Sequence, residues 1–396
     1  MKRIILLLQL IIITTILILS NGCTNSPSVK AMPTVAVPSQ PQHVALLLPL
    51  TGPLASYSGA IKNGFFTAYY AKQNQGASVP NITVYNTDGK NIRDVYQTAI
   101  TQGADFVVGP LDKADVLTLA NEHHTTVPIL ALNTTPSDTK INNDVLFEFA
   151  LSPIDEAQQA AQKAFRDNHR NIIILAPNNL WGQRIANAFT AQWKTLGGNI
   201  IATQYYGGMR TISRDIQNVL QISNSDQNAH QLKNMFGKNM RFIPQRRQDF
   251  DSIFLVATPE MGRQIEPLLR FYFAGDIPVY ATSQIYAGIP DEKRNNDLNG
   301  IYFCEMPWVL APNQMQSSLQ TMQQRIQTLW PQNFAHLTKF YAMGVDAFNL
   351  ISQLNNMQTQ SSGIPSATGT LYLTPQHTIY RQLLWAQFQN GIPVIQ

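Results

Sequence analysis

The chain has 396 residues, a formal net charge of +4, 44% apolar residues and only 13% charged residues. That apolar share supports a sizeable core and excludes global disorder, and the length allows two or three domain-sized units. Setting aside Lys2 and Arg3, which lie in a segment expected to be removed, the 28 basic residues fall to 26 against 24 acidic, too even a balance to draw nucleic acid or another polyanion.

Lys2 and Arg3 precede an apolar run at 4–19 that only Gln9, Thr14 and Thr15 interrupt. The run is shorter than the ~20 residues of a comfortable membrane span, and residues 1–22 read as a secretory signal peptide. The string LSNGC then sets Gly22 before Cys23. This resembles a bacterial lipobox, from which Ser20 and Asn21 depart. Cys23 is the expected lipid attachment point; the alternatives are a retained anchor or cleavage without lipid. Thr24 stands where an Asp would signal inner-membrane retention, so the resemblance implies the outer membrane, on its periplasmic face. Residues 24–42 are rich in Pro, Ser, Gln and Val without helical or strand period. They predict a flexible tether of about 60 Å at ~3.1 Å per residue.

From His43 short apolar runs alternate with helical patterns. Strands are predicted at 44–48, 82–85, 106–108, 129–132 and 146–151, with helices around 60–69, 93–102 and 112–123. The rhythm restarts at Pro153, which opens a helix with Asp155 and Glu156 near its positive end. Strands follow at 172–175, 200–205, 253–257 and 278–282. A helical stripe of Trp181, Ile185, Ala188, Phe189, Trp193 and Leu196 stops at Gly197-Gly198 and reads as core rather than as a ligand platform. Repeated βαβ units predict parallel sheets with helices on both faces, and two sets predict two lobes. The polar stretch 223–249 carries Lys233, Lys238, Arg241, Arg246 and Arg247. It is a solvated insertion or a binding loop.

Catalytic signatures are missing. There is no GxSxG, HExxH, CxxC or P-loop string, and no motif calls for a cofactor or a metal. His123 and His124 are adjacent, so on a helix they point about 100° apart and cannot readily share a metal. With Cys23 lipidated, Cys304 has no disulfide partner. Its run Ile301-Tyr302-Phe303-Cys304 suits a buried thiol acting as a small hydrophobe, a reactive thiol being the alternative.

ALLLPLTGPLASYSGAIKNGF resembles the first strand and helix of type I periplasmic-binding proteins. With VVGPL, ILALN, FALSPIDEA, ANAFTAQWKTLGG, VATP, YAMGVDAFNL and GTLYLTPQHTIYRQLLWAQFQNGIPVI, in that order over residues 43–396, the chain is similar to the C-terminal domain of the penicillin-binding-protein activator LpoA family. The resemblance implies an α/β protein of two Rossmann-like lobes with parallel sheets joined by a three-crossing hinge. Lobe one would take residues 43–151 and 283–367, and lobe two residues 152–282 and 368–396. It implies an outer-membrane lipoprotein that binds and activates a bifunctional class A penicillin-binding protein without chemistry of its own. Family members can carry a helical-repeat domain ahead of this region, where here the expected tether stands. The implied cleft lies at the carboxyl ends of the strands. Its candidate lining is Thr51, Gly109, Pro110, Leu111, Asn133 and Thr134, faced by Asn178, Trp181, Thr258 and Ser283. Arg241, Arg246 and Arg247 are the candidate partner surface. A solute receptor of an ABC transporter, for an amino acid or amide, is the second expectation, although the loop after Gly109 lacks a Ser/Thr cluster. A wall-modifying enzyme is the third.

Overall fold

The computed structural model describes residues 36–396 apart from 123–124, 137–138, 140, 142, 224, 226–233 and 236–244. Cys23, Arg241 and the adjacent histidines lie outside the described residues.

The apolar runs become strands of two sheets. The first sheet holds β1 (His43–Leu48), β2 (Asn81–Asn86), β3 (Phe106–Val108), β4 (Ile129–Ala131) and β5 (Leu146–Phe149), all parallel, in the order β5-β4-β3-β1-β2. The second holds β6 (Asn171–Pro177), β7 (Asn199–Tyr206), β8 (Ser252–Leu255), β9 (Val279–Ala281) and β10 (Tyr302–Glu305), also parallel, in the order β10-β9-β8-β6-β7. Parallel neighbours need long crossovers. Here α1 (Ala55–Asn74), α2 (Ile92–Thr101) and α3 (Lys113–Ala120) serve the first sheet. The second sheet is served by α4 (Pro153–Arg166), α5 (Leu180–Thr195), α6 (Ile212–Val219) and α7 (Pro259–Phe271). Helices on both faces explain why strands such as β1, buried from Val44 to Leu48, are apolar at every position rather than alternating.

One face of the first sheet packs Ala45 and Leu47 against Val95 and Tyr96 of α2. One face of the second packs Ile173 and Leu175 against Ile216 and Ile265. Between them a continuous cluster runs from Leu46 and Leu48 through Ala157 and Ala161 of α4 to Ile174, Phe189 and Trp193. Each such buried Leu, Ile or Phe stabilises by about 1.5–3 kcal/mol relative to exposure.

After β10 the chain returns to the first sheet through α8 (Ser317–Leu329) and α9 (Pro331–Thr359). There it adds β11 (Ile364–Pro365), β12 (Thr370–Leu373) and β13 (Thr378–Gln382), with β13 parallel to β5. The single residue Leu383 separates β13 from β14 (Leu384–Gln389), which with β15 (Ile392–Ile395) pairs antiparallel onto β10 of the second sheet. The chain therefore crosses between sheets three times. Two crossings fall elsewhere than the sequence reading put them. The part of 283–367 up to residue 305, expected in lobe one, feeds the second sheet, because β10 pairs with β9 and β14. Residues 368–382, expected in lobe two, belong to the first, because β13 pairs with β5. A doubly buried strand carries no mark of its sheet, so long-range pairing decides it. The end of the expected tether is also docked: Val37 is buried, and the Gln42 and His43 amides donate to the Asp105 carboxylate at 2.7 and 2.9 Å.

Candidate functional site

Strands β3, β4 and β5 end beside the start of α5, which follows β6, and the space between them is a cavity of about 410 Å³. Leu111, Asn133 and Thr134 of the first lobe line it, as does Trp181 of the second. Three helices begin at its wall. The Asp112 carboxylate caps α3 by accepting from Ala114 N at 2.8 Å, Ser152 Oγ caps α4 by accepting from Asp155 N at 3.3 Å, and Asn179 Oδ1 caps α5 by accepting from Gly182 N at 2.8 Å. These are the side chains that favour N-caps, because each satisfies an amide the helix leaves unpaired.

The remaining expected residues divide. Asn178 and Thr258 line a separate recess of about 330 Å³ on the other side of Trp181. Gly109 and Pro110 are buried supports rather than ligand-facing groups. Gly109 has φ +101°, and a Cβ there would fall 2.1 Å from the Leu47 carbonyl oxygen; its amide donates to Leu130 O at 2.8 Å. Thr51 is exposed, donates to Asp88 at 2.5 Å and lies outside the cavity lining. Asn133 stitches its loop, donating from Nδ2 to Leu111 O at 3.0 Å.

Ser283 belongs to a second constellation, a buried ionic cluster at the chain crossings. Its hydroxyl and amide donate to Glu156 at 3.1 and 3.0 Å, and its hydroxyl accepts from Lys339 Nζ at 3.0 Å. Lys339 in turn pairs with Glu305 at 2.6 Å. Arg381, 1% exposed, donates from Nε to Ala150 O at 2.8 Å and lies 3.6 Å from Glu156. Asp346 accepts from Ala367 N, Thr368 N and Thr368 Oγ1 at 3.0, 2.7 and 2.7 Å. Burial raises the carboxyls of Glu305 and Asp346, the latter to about 6, opposed at Glu305 chiefly by Lys339 and at Asp346 by its Thr368 donors. Ala150, Glu305 and Arg381 each stand beside a different crossing, so this cluster ties the three together.

Arg246 and Arg247 are committed within the chain. Arg246 donates to Phe273 O at 2.7 Å and pairs with Asp276 at 2.8 Å, its side chain 9% exposed. Arg247 pairs with Asp249 at 2.7 Å. Cys304 is fully buried, and its thiol is pushed well up by burial, then by Glu156 and Glu305, the opposite of an activated nucleophile.

Sequence reasoning missed Lys113 and Arg184 in the cavity wall, and, apart from Ser283, the ionic cluster. Lys113 stood in the very loop judged incomplete for lack of Ser or Thr. The signal for the cluster was an ionisable residue ending or interrupting an apolar run, as Glu305 after IYFC and Arg381 before LLWA.

Residues 31–391 match the family model described as "LppC putative lipoprotein". The chain belongs to the LppC lipoprotein family. This LppC chain is 29% identical over 357 residues to the penicillin-binding protein activator LpoA of Vibrio antiquarius, covering 88% of the chain and 57% of that protein. To LpoA of Photobacterium profundum it is 27% identical, covering 89% and 56%. It thus spans just over half the length of these curated relatives. Among solved structures it matches the LpoA (YraM) C-domain from Haemophilus influenzae, described as a regulator of PBP1A, with TM-score 0.71 and 26% identity over 89% of the chain and 99% of that domain. Full-length LpoA from the same organism matches with TM-score 0.70 and 25% identity, over 92% and 60%. A branched-chain amino acid ABC transporter protein from Chromobacterium violaceum shares the fold at TM-score 0.62 and 22% identity, over 87% and 99%. The LppC chain therefore has the two-lobed type I periplasmic-binding-protein fold.

Proposed function

We propose that this chain binds and activates a bifunctional class A penicillin-binding protein of the PBP1A kind, through a protein–protein contact and without chemistry of its own. It would act from a lipid on Cys23, on the periplasmic face of the outer membrane. The observation that carries the reading is the match over 99% of a solved C-domain described as a regulator of PBP1A. The buried, raised Cys304 thiol favours a non-catalytic role. The receptor alternative rests on a likeness of fold at 22% identity, and fold alone does not assign function.

Activation requires that the chain bind the active form of the synthase better than the inactive form, since equal affinity shifts nothing. A tenfold activation needs only about 1.4 kcal/mol of differential binding, within reach of a modest surface. Because Arg246 and Arg247 are held by intramolecular carboxylates, a contact patch elsewhere fits better than the basic stretch. The test is glycan polymerisation and peptide crosslinking by purified class A synthases, with and without the purified chain. Several-fold faster turnover of one synthase is expected. Indifference of every class A synthase of the source organism to saturating chain would defeat the reading.

A further inference from the structure

The cavity between the lobes has a one-sided charge. Among the described residues of its wall, Lys113 of the first lobe and Arg184 of the second are the ionisable side chains, and none of them is a carboxylate. Among the described residues neither cation makes an ion pair or a side-chain hydrogen bond, whereas Arg246, Arg247, Arg270 and Arg381 are all paired. Unlike a solvated surface Lys, Lys113 is held below its ordinary pKa by burial, then by the Arg184 charge, with Glu148 opposing. The same wall receives the positive end of α5, whose cap, Asn179, is neutral and whose first turn holds no acid, so that field is uncompensated; α4, also capped by a neutral residue, Ser152, carries Asp155 and Glu156 in its first turn. Only α3 carries an acidic cap, Asp112. The remaining wall is apolar, with Trp181, Phe340, Met343, Leu132 and Ile185 among its members. A cavity of about 410 Å³ is within the range that small ligands occupy.

We propose that this cavity binds a small organic anion with an apolar body and no ammonium group, its head held between Lys113 and Arg184. The apolar body lies against Trp181, Phe340 and Met343. A free amino acid is disfavoured for a stated reason: its ammonium would be desolvated beside two cations, with no carboxylate among the described wall residues to receive it. Because the cations come from opposite lobes, one anion bridges them and favours whichever lobe arrangement brings them together. The head can be a carboxylate or a phosphoryl group, which share this chemistry.

Calorimetric titration of the purified full chain tests it, with phenyl phosphate, 4-phenylbutyrate, inorganic phosphate, L-phenylalanine and neutral 4-phenylbutanol as probes. At least one of the two aromatic anions is expected to bind, with inorganic phosphate weaker and the zwitterion and the alcohol weaker still. The tighter of the two anions identifies the head group. Lys113→Gln and Arg184→Gln should each lower that affinity by about tenfold or more, and added salt should lower it in the parent chain. Both side chains are unpaired and partly exposed, so the melting temperature should hold in both variants, and Lys113→Arg should keep most of the affinity. Absence of binding by both aromatic anions at about 10 mM, well beyond the range of a useful site, would overturn the proposal. So would equal binding of the alcohol or of phenylalanine, or unchanged affinity in both Gln variants.

Discussion

Arg381 is 1% exposed, yet its guanidinium serves two lobes at once, donating to Ala150 O at 2.8 Å and to Thr368 O at 3.3 Å and facing Glu156 at 3.6 Å. A buried charge of this kind contributes little net stability when paired, because desolvation offsets the attraction, but its removal strands the partner. Arg381→Met should therefore cost about 3–5 kcal/mol, read as a lower midpoint in urea denaturation at unchanged slope. Glu156→Gln added to it should restore part of the loss, since an uncharged amide is cheaper to leave in that place. A single-variant loss below about 1 kcal/mol, typical of an exposed pair, would mean the cluster is hydrated in solution. None of this was legible in the sequence as geometry. Arg381, Glu305 and Glu156 are far apart in the chain, and nothing in period or composition marks ionisable groups that meet only after two sheets have formed. The cavity residues were half legible: the ends of β3 and β4 pointed to Leu111, Asn133 and Thr134. Thr51 and Ser283 look alike as hydroxyls after apolar runs, and only packing leaves one exposed beside Asp88 and buries the other against Glu156.

Elements were more legible than sites, because period and turn chemistry act locally. The run at 106–108 became β3 without change, and the predicted strand starting at 172 and helix starting at 153 became β6 and α4. The predicted helix at 112–123 shortened to Lys113–Ala120, with Asp112 outside it as the cap. Sheet membership was not legible, since β10 and β13 each had a choice of partner that only distant strands could settle. Helix-to-helix distance was partly legible, in the small residues of α1 and α9. Gly64 and Gly344 let those helices touch backbone to backbone: a Cβ on Gly64 would fall 2.1 Å from the Tyr341 carbonyl oxygen, and one on Gly344 2.0 Å from that of Ile61. Rigid backbone cannot yield as a side-chain tip does, so Gly64→Ala and Gly344→Ala should each cost about 1–3 kcal/mol through overpacking. Gly59→Ala is the control on the same helix. Its Cβ would meet nothing within 4 Å, and the gain in helix propensity is about 0.5–1 kcal/mol. Thermal melts of the three variants check this. Equal shifts in all three would show that propensity and not close approach sets the effect.

At the scale of the whole molecule the question is whether two lobes unfold as one. Two sheets of separate strand order would allow two transitions. Three features argue for a single transition. The central apolar cluster is continuous from Leu46 of the first sheet to Phe254 of the second, so neither lobe can open without exposing the other's inner face. The ionic cluster places Glu156 and Arg381 of different lobes in one buried environment, where separation would leave both uncompensated. The chain itself is interleaved: β14 and β15 complete the second sheet only after the chain has left and rejoined the first. A piece ending at residue 305 would leave β10 as a bare edge, missing the Trp385 and Phe388 side chains of β14 that pack near it. Hydrogen exchange with mass spectrometry across a urea series should show peptides covering Val44–Leu48 and Ile172–Ala176 losing protection at one shared midpoint. Removal of residues 384–396 should lower that midpoint for both peptides together, although the deleted hairpin pairs its backbone only with the second sheet. Midpoints separated by about 1 M urea, a difference of roughly 1–3 kcal/mol at ordinary slopes, would instead establish two independently stable lobes. The buried cluster at the crossings would then be a joint between folded bodies rather than part of one core.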